Sequence, residues 1–305
     1  MNSTYVPLEK LCRNLIIDTD IGPDCDDAGA IALACRFSVD LGFKISAVIN
    51  CTSNPFGNGA ADAIMGYCGI NGVPQGRFCR RSFLEDCRKY NEYVAKKYSK
   101  AFSSGNLLVE DALEVYRKVL REAEDKSVTV VTIGPLNTLA EILREEAKLC
   151  EEKIYSVVTM AGSIDKTVSE YNVACDVPGA ECVFSTLEKL GIPQYLISVE
   201  LGGDIITGFS PEDRGEDPVR DSYRLYTDGR MRRNSWDLIA VHFAVIGEGE
   251  IYGTGERGSL SVFPKGEIML SGSEMGNACF VCRKVGKVEL ENILDGIIAK
   301  AGYSV

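Results

Sequence analysis

The sequence predicts an α/β protein: an open, mostly parallel sheet flanked by helices, with a small β-hairpin appendage near the C-terminus. Three observations predict it. Short apolar, β-branched runs alternate with longer segments of helical spacing. The first run, NLIIDT, ends in carboxylates, as a buried strand does where it leaves the core. No internal repeat, low-complexity tract or Pro/Ser-rich linker interrupts the rhythm, so residues 1–305 read as a single domain.

The elements follow in order. NLIIDT (Asn14 to Thr19) is the first strand, and Asp26-Asp27 then open a helix over AGAIALACRF. Acids suit that first turn, where the helix dipole is positive. FKISAVIN (Phe43 to Asn50) is a second strand, GAADAIMGYCG a helix and VPQGRF a short third strand. Cys87 to Ser99 and Glu110 to Ala123 read as polar-faced helices. SVTVVTI (Ser127 to Ile133) is strongly β-branched, and NTLAEILREEAKLC follows as a helix. YSVVTMAG (Tyr155 to Gly162) is a strand, PGAECVFSTLEKL a helix and PQYLISVEL a strand. Consecutive units of this kind form right-handed crossovers in a doubly wound sheet. From about Ile251 to Lys287, IYG, SLSVF and ACFVCRK are short alternating strands that give the hairpin. VELENILDGIIAKAG closes the chain as an amphipathic helix.

Composition excludes several function classes. The chain of 305 residues carries 33 Lys plus Arg against 44 Asp plus Glu, a net charge of -11. That balance argues against holding a nucleic-acid backbone or an anionic membrane. One His excludes a zinc site with two His ligands and any site needing two imidazoles. The 12 Cys are scattered, and Cys279 and Cys282 form a Cys-x-x-Cys pair with no second pair at zinc-like spacing. They read as thiols in a reduced, cytoplasmic protein. No apolar stretch reaches the length of a membrane span or signal peptide.

The chemistry therefore falls to carboxylates. Asp18, Asp20, Asp24, Asp26 and Asp27 crowd the segment DTDIGPDCDD at the end of the first strand. Ligands of open α/β sheets bind beyond the carboxyl ends of strands. Repelling acids at such a place call for a cation, and hard oxygen donors suit calcium or magnesium. Gly22 permits the tight turn that gathers them. In the plainer reading, Asp26 caps a helix and the other acids are solvated.

Five segments, taken together, resemble the inosine-uridine preferring nucleoside hydrolases, or nucleoside N-ribohydrolases. They are Asp18-Thr19-Asp20-Ile21-Gly22 with Asp26-Asp27; AVINCTSNPFGNGA, which contains Asn50; VTIGPLNTLA; TMAG with SEYNVACDVPGA; and NSWDLIAVHFAV. They occur in order from residue 14 to about residue 250. The resemblance implies the nucleoside hydrolase fold, with a Rossmann-like core. It also implies calcium-dependent hydrolysis of the N-glycosidic bond of ribonucleosides to ribose and free base, in a homodimer or homotetramer. Ca2+ would be held by Asp20, Asp27, Asp237 and the carbonyl of Ile133. Asp20 would be the general base for the attacking water, with Asp237 counted beside it as catalytic. Asp26, Asn50, Glu170 and Asn172 would hold the ribose hydroxyls, Met160 would line the ribose pocket, and Trp236 would stack on the base. The chemistry is coherent, because glycosidic cleavage passes through an oxocarbenium-like state that carboxylates stabilise. Glu170 and Asn172 alternate, so an extended segment would point both to one face. Read without the resemblance, Asn50 starts a turn, Glu170 and Asn172 are loop polar residues, Asp237 caps a helix and Met160 and Trp236 belong to the core.

The pattern departs from the family in three places. Two extra residues add Asp24 to the loop. The Asn that many members carry shortly before the SEYN segment is absent. Trp236 stands where many members have the His that protonates the leaving base. The lone His242 lies about 140° around the helix from Asp237, so it reads as structural. Residues near the nucleobase are sought in the helical lobe, at Phe83, Tyr90 or Tyr223. Two other readings compete: a metal-dependent phosphatase of the aspartyl-nucleophile type built on Asp18-x-Asp20, which Ile21-Gly22 does not suit, and a non-catalytic ribose- or nucleoside-binding relative.

Overall fold

A computed structural model describes residues 14–273 and 276–302. Its strands are β1 (Asn14–Thr19), β2 (Lys44–Asn50), β3 (Gln75–Arg77), β4 (Glu110–Asp111), β5 (Val128–Thr132), β6 (Ile154–Met160), β7 (Gln194–Ile197), β8 (Ile206–Gly208), β9 (Arg232–Asn234), β10 (Tyr252–Thr254), β11 (Gly258–Val262), β12 (Ile268–Gly272) and β13 (Ala278–Arg283). All but β8 and β9 join one 11-stranded sheet in the order β12-β11-β13-β7-β6-β5-β1-β2-β3-β4, with β10 on β13.

The first strand lies in the middle. β1 runs parallel to β2 on one side and to β5 on the other, with Asp18 opposite both Ile49 and Thr132. The chain winds outward in both directions from β1, so the β1/β5 boundary is the topological switch point, where open sheets form a ligand crevice. β1 is buried on both faces, which is why it reads as a continuous apolar run. Leu15 and Ile17 belong to one core with Ile31, Val131 and Leu238, while Ile16 faces the other with Ile49, Leu139 and Phe184. Helices Asp26–Leu41, Trp236–Ile246 and Lys287–Ile298 cover the first face. Helices Ala112–Glu122, Asn137–Glu145 and Val177–Lys189 cover the second.

Four segments differ most from expectation. β11 and β12 form the expected antiparallel hairpin, but β13 runs parallel to β7 and ties it to the main sheet. NTLAEILREEAKLC breaks into helices Asn137–Glu145 and Ala147–Lys153 at Glu146 (φ -133), whose carboxylate accepts from Arg117 Nε at 2.9 Å. PQYLISVEL ends as a strand at Ile197, because Ser198 caps the helix Val199–Asp204 by accepting the Leu201 N–H at 3.2 Å. The helix Pro218–Tyr226 was not expected; Asp217 caps it by accepting the Val219 and Arg220 N–H groups, and Pro218 sits in its first turn.

Candidate active site

The loop after β1 is placed by continued strand pairing. The Asp18 carbonyl accepts the Ile133 N–H at 2.8 Å, and the Thr19 carbonyl accepts the Cys51 N–H at 2.9 Å. Asp20 therefore emerges between the ends of β5 and β2. Gly134 allows the close approach, since a Cβ there would lie 2.8 Å from the Asp20 nitrogen and from Cys51 Sγ. Gly22, at φ +149, turns the loop back beneath Asn91, whose amide donates to the Ile21 carbonyl at 3.2 Å.

Two helix N-termini then bring more acids. Asp26 and Asp27 occupy the first turn of helix Asp26–Leu41, and Asp237 that of helix Trp236–Ile246. Asp27 accepts a hydrogen bond from the Thr19 hydroxyl, which fixes its rotamer. The Asp26, Asp27 and Asp237 carboxylates offer ligand atoms within 4.8 Å of one another, and all three are buried. Burial, and then neighbouring carboxylates, hold these three groups well above the usual carboxylate range. Asp20 is pushed up to about 7, first by burial and then by Asp24 and Glu170. So much like charge in a desolvated place fits a hard divalent cation, which would neutralise it.

Asp18 turns away from this cluster. It accepts from Tyr116 Oη at 2.7 Å and Thr138 Oγ1 at 2.6 Å, and burial pushes it up to about 7 against both bonds. An aspartyl-phosphatase chemistry would need Asp18 in the cavity, and it is not there.

The opposite wall comes from the end of β6 and the segment after it. Glu170 and Asn172 do not lie on an extended strand, as the alternation suggested. Glu170 caps the short helix Tyr171–Cys175, its two oxygens accepting the Asn172 and Val173 N–H groups at 2.8 and 3.0 Å. Capping needs its carboxylate folded back over its own helix start, so the chain must turn helical at once. Asn172 Nδ2 donates to the Met160 carbonyl at 3.1 Å, fastening this helix to β6. The β11–β12 turn grips the same wall: the Glu170 N–H donates to the Gly266 carbonyl at 3.2 Å and Ser169 Oγ to the Lys265 carbonyl at 2.5 Å.

These groups enclose a cavity of about 420 Å³. Asp20, Asp26, Asp27, Ile133, Met160, Glu170, Asn172, Trp236 and Asp237 all line it. Asn50 does not. Its amide oxygen accepts from the Thr52 N–H and hydroxyl at 3.1 and 2.8 Å, and its amide nitrogen donates to the Asn54 carbonyl at 3.1 Å. Asn50 thus organises the turn behind Asp20.

The outer part of the cavity holds two residues that the sequence did not single out, Arg233 and Tyr226, beside Asp24 and Trp236, which it did. Asp24 forms a bidentate pair with Arg233, with Nε and Nη2 at 3.0 and 2.6 Å from Oδ2. The guanidinium lies 5.0 Å from the Trp236 ring centroid and 5.5 Å from that of Tyr226. The inserted Asp24 has therefore not displaced Asp26 or Asp27. An extra acid in an already acidic loop was the available signal that a cation must meet it. Of the helical-lobe candidates, Tyr90 and Tyr223 are fully buried away from the cavity, and Phe83 packs edge-on against Phe78. Tyr223 is drawn into helix packing, where it meets Phe209. Tyr171, Tyr226 and Trp236 supply the aromatic lining instead.

No imidazole faces the cavity. His242 is buried, with Nδ1 2.8 Å from Tyr252 Oη and its ring stacked on Phe37, and burial holds it down at about 3. The Trp236 indole N–H is committed to the Val199 carbonyl at 2.9 Å. Its ring is pressed against Gly202, where a Cβ would lie 2.2 Å from Cδ1.

Fold and site together define the class: an α/β enzyme with an acidic, cation-adapted cavity at the switch point of its sheet. A family model described as inosine-uridine preferring nucleoside hydrolase matches residues 15–244. The chain belongs to this family, a metal-dependent family of hydrolases that act on N-glycosyl compounds. Among solved structures it is similar to an inosine-guanosine nucleoside hydrolase, at 19% identity and a TM-score of 0.74, covering 96% of this chain and 100% of that one. It is similar to an inosine-uridine preferring nucleoside hydrolase from Bacillus anthracis, at 17% identity and a TM-score of 0.73, with 96% and 100% covered. It is also similar to the type III effector protein XopQ complexed with adenosine diphosphate ribose, at 14% identity and a TM-score of 0.70, with 96% and 94% covered. At these identities the likeness is one of fold. No curated protein matches in sequence. Among the described residues, no helix is long and apolar enough to cross a membrane.

Proposed function

We propose that this protein hydrolyses the N-glycosidic bond of ribonucleosides to ribose and free base, with Ca2+ as its cation. The observation that carries the reading is the convergence of Asp20, Asp26, Asp27, Glu170 and Asp237 on one buried cavity at the switch point. Asp20, Asp27, Asp237 and the Ile133 carbonyl would hold the cation. When bound, it supplies Lewis-acid polarisation of a water and of the sugar hydroxyls.

The chain's own residues supply the rest. Asp20, at the end of β1 and lining the cavity beside the cation ligands, is placed to take a proton from the attacking water. Asp26, Glu170 and Asn172 orient the ribose hydroxyls, and Met160 forms the apolar floor of the sugar pocket. The buried carboxylates stabilise positive charge as it grows on the sugar ring. Arg233, Tyr226 and Trp236 leave the base a flat, cationic and aromatic surround. The described cysteines are free thiols, which suits a reducing, cytoplasmic setting.

The absence of an imidazole from the cavity keeps one second reading in play: a relative that binds a riboside and does not cleave it. One assay separates the two. The protein is incubated with inosine, uridine and a nitrophenyl riboside, with Ca2+ or with chelator, and base or nitrophenol release is followed. The expected result is release that needs Ca2+ and falls about 10³-fold or more in Asp20→Asn. No release from any substrate at saturating Ca2+, with Asp20→Asn unchanged from the parent, would overturn the hydrolase reading, and binding of inosine to that inactive protein would establish the binding-only one.

A further inference from the structure

We propose that Arg233, fixed by Asp24, meets the departing nucleobase and stabilises the negative charge that builds on it as the glycosidic bond breaks. The inference rests on the hydrolase reading and concerns the half of the reaction for which no imidazole is present.

The placement is specific. Arg233 stands on β9, a strand outside the main sheet, and lines the same cavity as Asp20 and Glu170. Asp24 takes Nε and Nη2 of the guanidinium, while Nη1 makes only a 3.4 Å contact with Asn234 Oδ1. A guanidinium has five N–H donors in one plane, so donors remain for an acceptor atom on a base edge. The Trp236 and Tyr226 rings flank the ion and hold it flat. Asp24 is itself anchored by the Cys25 N–H at 2.7 Å. Asp24, Arg233 and Trp236 thus form one structural unit at the rim of the cavity.

The chemistry balances without a protein acid. The C1′–N bond breaks, and its electron pair goes to the base. Water oxygen bonds to C1′, and the proton it loses goes to Asp20. The base anion, stabilised by Arg233, takes a proton from solvent. Arg233 keeps its own protons throughout. Its role is that of a preorganised donor aimed at developing charge, as in an oxyanion hole. Asp24 is a positioning residue.

The test compares two leaving groups at saturating Ca2+. Nitrophenolate is stable as an anion, whereas hypoxanthine from inosine needs help to leave. Arg233→Met is expected to lose about 10²-fold in kcat on inosine, the range for one oxyanion-hole donor. Its loss on the nitrophenyl riboside is at least tenfold smaller. Arg233→Lys recovers part of the selective loss, and Asp24→Asn shows the same selectivity at reduced size. Equal losses on both substrates would mean a merely structural role and overturn the proposal, as would full inosine turnover in Arg233→Met. The parent protein's turnover of the nitrophenyl riboside separates the two claims. If the parent cleaves neither substrate, the hydrolase reading falls and takes the proposal with it. If it cleaves both and Arg233→Met is not selective, only the proposal falls.

Discussion

The Asp237 N–H donates to Asp26 Oδ2 at 3.1 Å and joins the first turns of two helices that begin 210 residues apart in sequence. Each N-terminus brings a carboxylate to the other, and Asp27 stands beside them.

This crowding predicts how the protein answers to its cation. A ligand that binds only the folded state stabilises it by about 2.7 kcal/mol at a hundred times its Kd. Thermal melts should therefore rise with added Ca2+ and fall with chelator. Asp27→Asn should lose most of that response. In chelator the variant should melt above the parent, because one buried like charge has gone. A parent melt indifferent to Ca2+, Mg2+ and chelator would contradict the cation site.

Glu170 serves two purposes, and two substitutions separate them. Glu170→Ala removes the cap of helix Tyr171–Cys175 and should cost about 1 kcal/mol of stability. Glu170→Gln keeps a capping oxygen and should restore most of that stability. Both should weaken the sugar contact and raise KM for inosine. If Glu170→Gln has the parent KM, Glu170 acts as a cap alone.

Gly134→Ala places a methyl 2.8 Å from the Asp20 backbone nitrogen and Cys51 Sγ. Something must shift, and overpacking of this kind costs about 1–3 kcal/mol. Asp20 is the group displaced, so turnover should fall about 10²-fold, as for a misplaced catalytic group. Parent-like kinetics with a lowered melt would show that the strain relaxes elsewhere.

His242 sets a pH dependence of stability. Burial lowers it from the usual 6.5 to about 3 in the folded protein. Between these values the unfolded chain binds a proton that the folded one does not. Stability contributed by His242 is complete above about 6.5 and is lost as pH falls toward 3, by about 1.4 kcal/mol per pH unit. His242→Gln should flatten the acid limb of a denaturation curve and leave turnover within about an order of magnitude. A turnover loss of about 10³-fold would make His242 the missing acid.

The parts of the site that were legible in the sequence sit on long-range sheet order. Asp20, Ile133 and Met160 stand at the ends of β1, β5 and β6, whose apolar runs declare both the strand and its end. Asp26, Asp27 and Asp237 open helices, so their positions follow from capping logic. Asn50 stands at an equally well-marked strand end, but local hydrogen bonds to Thr52 and Asn54 turn its side chain away, as the plainer reading of a turn-starting Asn has it. Arg233 was illegible. It lies on a strand of three residues, and its partner Asp24 is 209 residues distant. Short strands carry little periodicity, and a pair so distant leaves no spacing to read.

The grip of the β11–β12 turn on Ser169 and Glu170 separates the chemistry from its scaffold. Every acid proposed to act lies within residues 15–244, the stretch shared with the family. A chain cut soon after that stretch would keep all of them and lose the brace at Lys265 and Gly266. Its sugar-side wall would then keep only the Asn172 bond to β6, and Glu170 would be held less firmly against the ribose. The edge of the sheet is in that sense a mechanical strut for a reaction that takes place several strands away.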